Sequence, residues 1–131
     1  PMAAGAAAAD APIETEGGTG WWLQQLHGSG FTAMLFETVD IAAKVRELHA
    51  AAQGIAALQV LVVTPAGSSL RVEAARTVVD VQGLLAQRYD GRGGTLYLLR
   101  PDQHVCARWR GVSGAPVRQA LRRALALPEP N

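Results

Sequence analysis

Two apolar runs with an amphipathic segment between them form the clearest pattern in the first half of the chain. Residues 31–36 (Phe-Thr-Ala-Met-Leu-Phe) and residues 58–63 are strand-length and almost continuously apolar, which is typical of strands buried on both faces. Between them, Asp40 is placed to cap a helix that extends to about Gln53, with Gly54 behind it. One face of this helix carries Ile41, Val45, Leu48 and Ala52. This strand, helix and strand predict a right-handed βαβ unit with parallel strands.

Residues 65–94 show a weaker hydrophobic periodicity than the βαβ unit before them. Residues 65–79 mix glycine, serine and charged residues and are predicted to be irregular. Asp80 is placed to cap a short helix over residues 81–89, whose inward side chains are Val81, Leu84 and Leu85. Residues 90–94 (Asp-Gly-Arg-Gly-Gly) are predicted to form a loop.

Residues 95–110 predict a β-hairpin. Two strand-length runs rich in apolar and aromatic residues flank Pro101-Asp102, and Pro-Asp is typical of turns. Side-chain alternation along the second strand places Val105, Ala107 and Trp109 on one face, and His104, Cys106 and Arg108 on the other.

The last pattern is again helical. Ser113 is placed to cap it, Pro116 lies in its first turn, where a missing N–H costs least, and Pro128 ends it. Its apolar stripe consists of Val117, Ala120, Leu121, Ala124 and Leu125. The whole order, βαβ followed by αββα, predicts an α/β fold of the thioredoxin-like arrangement, with a mixed central sheet flanked by helices.

The hairpin also resembles a known family. Its segments Leu-Arg-Pro-Asp-Gln-His-Val (residues 99–105) and Ala-Arg-Trp (residues 107–109) resemble the C-terminal domain of FAD-dependent aromatic-ring hydroxylases. These are class A flavoprotein monooxygenases of the phenol and 3-(3-hydroxyphenyl)propionate hydroxylase type. Gly5 and residues 10–13 (Asp-Ala-Pro-Ile) are similar to the segment that joins the catalytic part of those enzymes to this domain, so the resemblance covers about residues 5 to 126.

The resemblance implies an accessory domain with no catalytic, cofactor-binding or metal-binding residue of its own. Its expected partners are the catalytic part of a parent enzyme, which binds FAD and NAD(P)H and hydroxylates aromatic compounds, and, as in some members, a second copy of the chain. The residues that carry the resemblance are expected to form a structural or docking motif, namely Arg100, Pro101, Asp102, Gln103, His104, Arg108 and Trp109.

Domain boundaries follow from composition. Residues 1–20, rich in Ala, Gly and Pro, are predicted to be a linker or arm from a catalytic part that precedes the chain. Residues 21–127 are predicted to form the thioredoxin-like domain and residues 128–131 a tail. Pro1 before Met2 favours a segment excised from a longer protein.

Charge and cysteine content limit the partners and the location. The 12 basic and 11 acidic residues leave a net charge of +1, which gives no electrostatic case for nucleic acid or for an anionic membrane. The apolar runs are far too short to span a bilayer. The single cysteine, Cys106, fits a reducing compartment, so a cytoplasmic location is expected.

Two other functions compete with the accessory domain. One is a stand-alone thioredoxin-fold oxidoreductase with Cys106 as its nucleophile, and the other is a small binding module. Redox members of the fold carry Cys-x-x-Cys where the first βα loop meets its helix, and this chain has Glu-Thr-Val-Asp there, at residues 37–40. Cys106 lies within a predicted strand, away from a helix N-terminus, which favours a structural role.

Other candidate chemistry is sparse. His27, His49 and His104 lack the spacing of metal ligands, and His104 is expected to position the hairpin. The glycine-rich residues 91–94 lead into a strand, whereas phosphate-binding loops lead into a helix. Because no Gly-x-Gly-x-x-Gly follows a strand, no flavin or dinucleotide binding is expected from this chain.

Two groups of side chains leave alternatives open. Arginines concentrate in the last third of the chain, either as solvated charges or as a surface for acidic residues of a partner; they are Arg100, Arg108, Arg110, Arg118, Arg122 and Arg123. Trp21, Trp22 and Trp109 fit either the core or an interface.

Overall fold

A seven-stranded sheet of mixed direction forms the centre of the computed structural model, which describes residues 2–26 and 28–127. Its spatial order is β2-β1-β5-β4-β3-β6-β7. The strands are β1 (Pro12–Thr15), β2 (Gly18–Trp21), β3 (Phe31–Phe36), β4 (Leu58–Pro65), β5 (Arg76–Asp80), β6 (Leu96–Leu99) and β7 (Val105–Trp109). A 3-10 helix (Trp22–Gln25) and the α-helices α1 (Ile41–Ala52), α2 (Leu84–Arg88) and α3 (Gly114–Ala124) complete the described elements.

The predicted βαβ unit is confirmed. Strands β3 and β4 are parallel, in register from Phe31 opposite Leu58 to Phe36 opposite Val63, and α1 connects them. Every residue of β3 is buried, as the continuous apolar run predicts for a central strand. Gly54 follows the helix with φ +76°, the left-handed conformation that suits glycine at this position.

Strand β5 corrects the prediction that residues 65–79 are irregular. It runs parallel to β4, with Leu61 opposite Arg76 and Pro65 opposite Asp80. Its Thr-Val-Val centre is β-branched and favours a strand, but only Val78 and Asp80 are buried, so the apolar pattern is short. The strand has neighbours on both sides, the preceding strand β4 and β1, and β1 is distant in sequence.

The prediction that residues 1–20 lie outside the core is also wrong. Strands β1 and β2 form a hairpin, and β1 joins the sheet through Glu14 opposite Val79 of β5. Ala11 and Ile13 are 0% and 1% exposed, so this segment supplies part of the core. Small side chains let the backbone approach the sheet closely, which is why an Ala-rich segment can be buried without a long apolar pattern.

Residues 2–11, called the arm below, cross one face of the sheet. At one edge, the Gly5 N–H donates to the Val105 carbonyl at 2.7 Å and the Ala8 N–H donates to the Gln103 carbonyl at 2.8 Å. Ala8 and Ala9 then pack on the core, and the Trp22 N–H donates to the Ala11 carbonyl at 2.9 Å, next to β1. The arm therefore holds both edges of the sheet together.

The core has two halves, one on each face of the sheet. On the helix side, α1 and α3 cover the sheet, with Leu48 and Leu121 fully buried. On the arm side, the arm, the 3-10 helix and α2 cover it, with Trp22, Leu85 and Tyr89 fully buried.

The short helix α2 starts later than predicted, with Gly83 at its N-cap, but the predicted residue Asp80 supplies the side-chain acceptor for its first turn. The Asp80 carboxylate accepts hydrogen bonds from the Leu85 N–H at 3.0 Å and the Ala86 N–H at 2.9 Å. Leu85 is buried as predicted, whereas Val81 lies in the turn before the helix and is only half-buried.

Helix α3 is shorter than its predicted apolar stripe. Val117, Ala120 and Leu121 are buried, but Ala124 is exposed, and Leu125 lies beyond the end of the helix and is 40% exposed. Ser113 precedes the helix without a side-chain cap; the Gly114 N–H instead donates to the Glu47 carboxylate at 2.9 Å. The predicted stop at Pro128 and the tail of residues 128–131 lie outside the described residues.

Candidate functional site

A cleft of about 520 Å³ lies at the carboxyl ends of the parallel strands β3, β4 and β5. This is the end of the sheet where α1 begins, and where open α/β sheets commonly bind ligands. Its walls include the apolar residues Phe36, Val63, Pro65 and Ala86 and the charged residues Glu37, Asp80 and Arg92. Because the Asp80 carboxylate is already bonded to two N–H groups of α2, it is a structural group rather than a free ligand.

The loop between β3 and α1 occupies the position of the redox Cys-x-x-Cys. Asp40 precedes α1 as predicted, but it has φ +55° and its side chain does not cap the helix. Val39 is 75% exposed, and its carbonyl accepts a hydrogen bond from the Lys44 ammonium at 2.6 Å. The loop thus presents an exposed apolar tip where a redox member of the fold has its nucleophile.

Cys106 lies far from this loop. Its neighbour Val105 pairs with Leu99, which pairs with Thr32 near the amino end of β3, whereas the cleft is at the carboxyl end. Half-burial raises the pKa of the Cys106 thiol, and the positive charges of Arg100 and Arg123 offset this only in part. A protonated thiol at neutral pH is a poor nucleophile.

A β-bulge changes the predicted faces of β7. Leu98 lies opposite Ala107 and Leu99 opposite Val105, so Cys106 is the extra residue between two paired ones. As a result Val105 packs into the arm-side core, while Cys106 and Trp109 pack against the helix-side core. The predicted common face of Val105 and Trp109 is therefore wrong.

The hairpin turn holds most of the expected docking motif. The Arg100 guanidinium pairs with the Asp102 carboxylate and holds the pKa of Asp102 below its usual range. His104 Nδ1 lies 3.0 Å from the Asp102 carbonyl oxygen. These three side chains and Pro101 are exposed or partly exposed, so the turn is ordered by its own contacts and still accessible.

Gln103 ties this turn to the rest of the protein. Its backbone has φ +64°, and its side-chain amide donates to the Leu23 carbonyl in the 3-10 helix at 3.1 Å. Its carbonyl accepts the Ala8 N–H, and His104 forms an isolated bridge with Ala7. The motif therefore anchors the arm and the 3-10 helix within this chain, whatever else it contacts.

Arg108 points to the arm side and joins a second group of charges. Its Nε donates to the Tyr97 hydroxyl at 2.9 Å, and its Nη2 lies 3.2 Å from the Asp90 carboxylate. Arg110 pairs with the same carboxylate, which lowers the pKa of Asp90, and donates to the Thr95 hydroxyl at 2.9 Å. Sequence spacing did not bring Asp90 into the motif, because a loop and a strand separate it from Arg108.

The other arginines do not form one surface with these. Arg118 donates to the carbonyls of Ala51 and Gln53, both at 3.2 Å, and so caps the carboxyl end of α1. Arg123 lies beside Cys106 and Arg100 on the helix side. The single acidic-partner surface considered from sequence is thus divided among separate places.

The three tryptophans have different environments. Trp22 is fully buried, and its indole N–H donates to the Tyr89 hydroxyl at 3.1 Å, so it belongs to the core. Trp21, its neighbour, is 50% exposed at the end of the edge strand β2. Trp109 is partly buried against the helix-side core.

The described part of the chain shows neither a metal site nor a membrane-spanning helix. Among residues 2–26 and 28–127, no three His, Cys, Asp or Glu side chains lie close enough to hold a metal ion. His49 Nε2 instead lies 2.7 Å from the Ala74 carbonyl oxygen, and His27 lies outside the described residues. None of the described helices has the length and apolar character needed to cross a bilayer.

The sequence matches a known protein family. Residues 5–124 match the model of the family described as the HcaD C-terminal domain. The match begins inside the arm, in agreement with the finding that the arm is part of the fold. No curated protein sequence is significantly similar to the chain.

Solved structures that share the fold include two flavin-dependent hydroxylases. The flavin-dependent monooxygenase PieE, in complex with FAD and substrate, matches with a TM-score of 0.75 at 20% identity, over 95% of this chain and 20% of that chain. Aklavinone-11 hydroxylase, in complex with FAD and aklavinone, matches with a TM-score of 0.66 at 19% identity, over 92% of this chain and 21% of that chain. This chain thus spans about a fifth of each hydroxylase.

A thioredoxin shares the fold as well. The pneumococcal exposed lipoprotein thioredoxin Etrx1 from Streptococcus pneumoniae matches with a TM-score of 0.63 at 17% identity, over 88% of this chain and 99% of that chain. These likenesses confirm the predicted thioredoxin-like α/β class. The resemblance of the hairpin to a C-terminal hydroxylase domain is confirmed by the family match and by the two hydroxylases that contain this fold.

Proposed function

Because this chain belongs to the HcaD C-terminal domain family, we propose that it is the non-catalytic accessory domain of a larger FAD- and NAD(P)H-dependent aromatic hydroxylase. The catalytic part of that parent enzyme holds both cofactors and the aromatic substrate, and this domain packs against it. The presence of the same fold in about a fifth of two flavin-dependent hydroxylases supports the proposal. A cytoplasmic location belongs to the same proposal.

The observation that carries the proposal is the loop of residues 37–40. This loop stands where redox members of the fold have two cysteines, and it reads Glu-Thr-Val-Asp. The one thiol of the chain, Cys106, lies at the other end of the sheet with a raised pKa. The fold is therefore retained without the paired cysteines of its redox members, which favours a packing role over disulfide exchange.

Packing fits the way in which the motif residues are used. Gln103 and His104 hold the arm, and Arg108 holds Tyr97 and Asp90. A rigid hairpin presents its exposed side chains, such as Arg100 and Asp102, in one fixed arrangement, which lowers the entropy cost of docking. Dimerisation is a further part of the proposal, with the exposed Trp21 as a candidate anchor.

The first test is the reading frame upstream of the codon for Met2. The proposal expects it to encode a strand, a Gly-x-Gly-x-x-Gly loop and a helix, the dinucleotide-binding arrangement. The complete parent enzyme should then be purified yellow and should oxidise NAD(P)H faster with a phenolic compound present. A parent enzyme that ends before residue 5 lacks this domain. It should lose flavin more readily on dilution, because the surface that packs against the catalytic part is removed.

The isolated chain provides the complementary test. It should be colourless as purified, and titration with FAD at micromolar protein should give no saturable quenching of flavin fluorescence. Stoichiometric yellow protein would contradict the non-catalytic assignment.

A further inference from the structure

Four charged residues meet on the arm side of the sheet, close to its carboxyl end. Arg108 and Arg110 both pair with the Asp90 carboxylate, and Arg92 is near enough for its charge to help lower the pKa of Asp90. We call Asp90, Arg92, Arg108 and Arg110 the Asp90 cluster. Two guanidinium groups pair with the one carboxylate and a third positive charge, that of Arg92, acts on it without pairing, so the cluster carries an excess of positive charge.

Two of these arginines are fixed by the protein itself. The Arg108 guanidinium lies over the Tyr97 ring, 5.6 Å from its centroid, and its Nε donates to the Tyr97 hydroxyl. Arg110 Nη1 donates to the Asp90 carbonyl at 2.7 Å and to the Thr95 hydroxyl. The side chains of Arg108 and Arg110 are 22% and 44% exposed, so the cluster is ordered and still accessible.

The ligand that suits this cluster is a carboxylate. Arginine binds carboxylates through two parallel N–H donors, and these contacts are stronger than neutral hydrogen bonds. A second carboxylate would balance charge that Asp90 leaves uncompensated. Arg92 also lines the carboxyl-end cleft, together with Glu37, and the cleft leaves room for a partner side chain beside the cluster.

The path of the arm places the cluster next to the start of the domain. The backbone N–H of Met2 donates to the Tyr97 hydroxyl at 3.2 Å, and the same hydroxyl accepts the hydrogen bond from Arg108. In a parent enzyme whose catalytic part precedes residue 2, the connecting chain reaches the domain beside the Asp90 cluster.

We propose that the Asp90 cluster is the surface through which this domain docks onto acidic side chains of the catalytic part of its parent enzyme. The inference rests on the proposed function and adds to it the docking face and the chemistry of the partner.

Amide hydrogen exchange tests the position of the face. In the parent enzyme, the amides of residues 90–95 and 108–112 should exchange at least about tenfold more slowly than in the isolated chain, because docking adds its own stability to local opening. The amides of α1 and α3 should exchange at the same rate in both. Slower exchange over α1 or α3 instead would overturn the proposed face and leave the accessory function standing.

Charge reversal tests the chemistry. The 131-residue chain is added to a parent enzyme that ends before residue 5 and so lacks this domain. The R92E/R110E variant of the chain should bind at least about tenfold more weakly than the wild-type chain does. Binding of the wild-type chain should also weaken as the salt concentration is raised. R46E is the matched control for the single variant R92E, since Arg46 is an exposed residue of α1 on the helix side and each reversal changes the net charge by the same amount. R92E alone covers the case in which the double variant fails to fold, because Arg92 is exposed.

The remaining outcomes separate this inference from the proposed function. Equal weakening by R46E and R92E would show that only net charge matters and would overturn the face. If inorganic phosphate slows amide exchange at residues 90–95 of the isolated chain, the cluster is a site for a small anion, and the proposal that it binds a protein partner is overturned. The accessory function itself fails if two results are found together: the chain does not bind the truncated parent enzyme, and its amides exchange at the same rate in the complete parent enzyme as in the isolated chain.

Discussion

At the scale of single residues, burial rather than residue type decides what Cys106 can do. Half-burial favours the neutral thiol, so its pKa is raised despite two nearby arginines. We expect the rate of Cys106 alkylation by iodoacetamide to rise at higher pH in the folded chain than in the chain unfolded in urea. The folded state binds the thiol proton more tightly than the unfolded state does. The contribution of Cys106 to the free energy of unfolding is therefore lost as the pH rises above the ordinary thiol pKa of about 8.5.

The Cys106→Ser variant is the control for this measurement. It should not be alkylated, should lose about 1 kcal/mol of unfolding free energy at most, and should lack the alkaline loss of stability. Neither chain should speed the reduction of insulin by dithiothreitol. A lower alkylation midpoint in the folded chain, or insulin reduction that needs Cys106, would restore the oxidoreductase hypothesis.

Tyr89 carries a second prediction at this scale. Its hydroxyl donates to the Ala9 carbonyl at 2.5 Å and accepts the Trp22 indole N–H, and burial raises its pKa. Tyr89→Phe leaves the buried Trp22 indole N–H and the partly buried Ala9 carbonyl without this bond, so we expect it to cost about 1–3 kcal/mol in urea unfolding. Trp21→Ala, at an exposed aromatic residue, should change stability by less than about 0.5 kcal/mol. Equal effects of the two variants would mean that the arm contributes little to the core.

Local rules predicted some of these residues and could not predict others. Asp80 was identified as a helix cap because capping depends on the few residues beside it. The different burial of Trp21 and Trp22 could not be read from sequence, because it depends on which side of the chain faces Tyr89, 67 residues beyond Trp22. Arg118 is a similar case, since its partners lie at the end of α1.

At the scale of elements, the loop of residues 90–94 depends on one close contact. A Cβ added at Gly91 would lie 2.3 Å from ring carbons of Phe36, which is itself 5% exposed. Gly91→Ala must therefore displace a buried ring, and we expect it to destabilise the chain by about 1–3 kcal/mol. At Gly111 an added Cβ meets nothing within 4 Å, so Gly111→Ala should stay within about 0.5 kcal/mol of the wild type.

Thermal or urea unfolding of the two glycine variants decides this prediction. If neither variant changes the stability, the Phe36 ring moves aside at little cost and this wall of the cleft is easily displaced. If both are equally destabilised, the loss reflects backbone conformation and not the contact with Phe36.

The sequence predicts the elements that have a long apolar pattern of their own. It does not predict the elements whose burial depends on strands or helices elsewhere in the chain. β3, α1 and β4 each have enough buried residues to show their own period, and the hairpin β6–β7 has turn chemistry between its strands. β5 has two buried residues among five, so its period is too short to recognise. The bulge at Cys106 exchanged the faces of β7 because one inserted residue reverses alternation.

At the scale of the whole molecule, the boundary at residue 20 was placed by composition, and composition does not report contacts. Ala, Gly and Pro are common in linkers, but here they allow a backbone to lie flat on a sheet. The role of the hairpin as a docking motif is still a prediction. What the structure adds is that these residues already have partners inside the chain, in the arm and the 3-10 helix.

The last prediction concerns the arm as a whole. Removing residues 2–9 deletes the bonds of Gly5 and Ala6 to Val105, of Ala8 to Gln103 and of Ala9 to Tyr89. At about 1 kcal/mol net for each hydrogen bond, partly offset by the freedom the arm regains, we expect a loss of about 2–4 kcal/mol. Urea unfolding measures this loss. The Val105 N–H donates to the Ala6 carbonyl at 2.8 Å, so its rate of hydrogen exchange should rise when the arm is removed.

The matched control is a chain that lacks residues 126–131, which follow α3. This truncation should cost less than about 1 kcal/mol, since the exposed Leu127 adds little apolar burial. If the two truncations cost the same, residues 2–9 act as the linker that their composition suggests. A large difference means instead that any cut made to separate this domain from its parent must leave the arm on the domain, because the arm completes the arm-side core around Tyr89 and Tyr97.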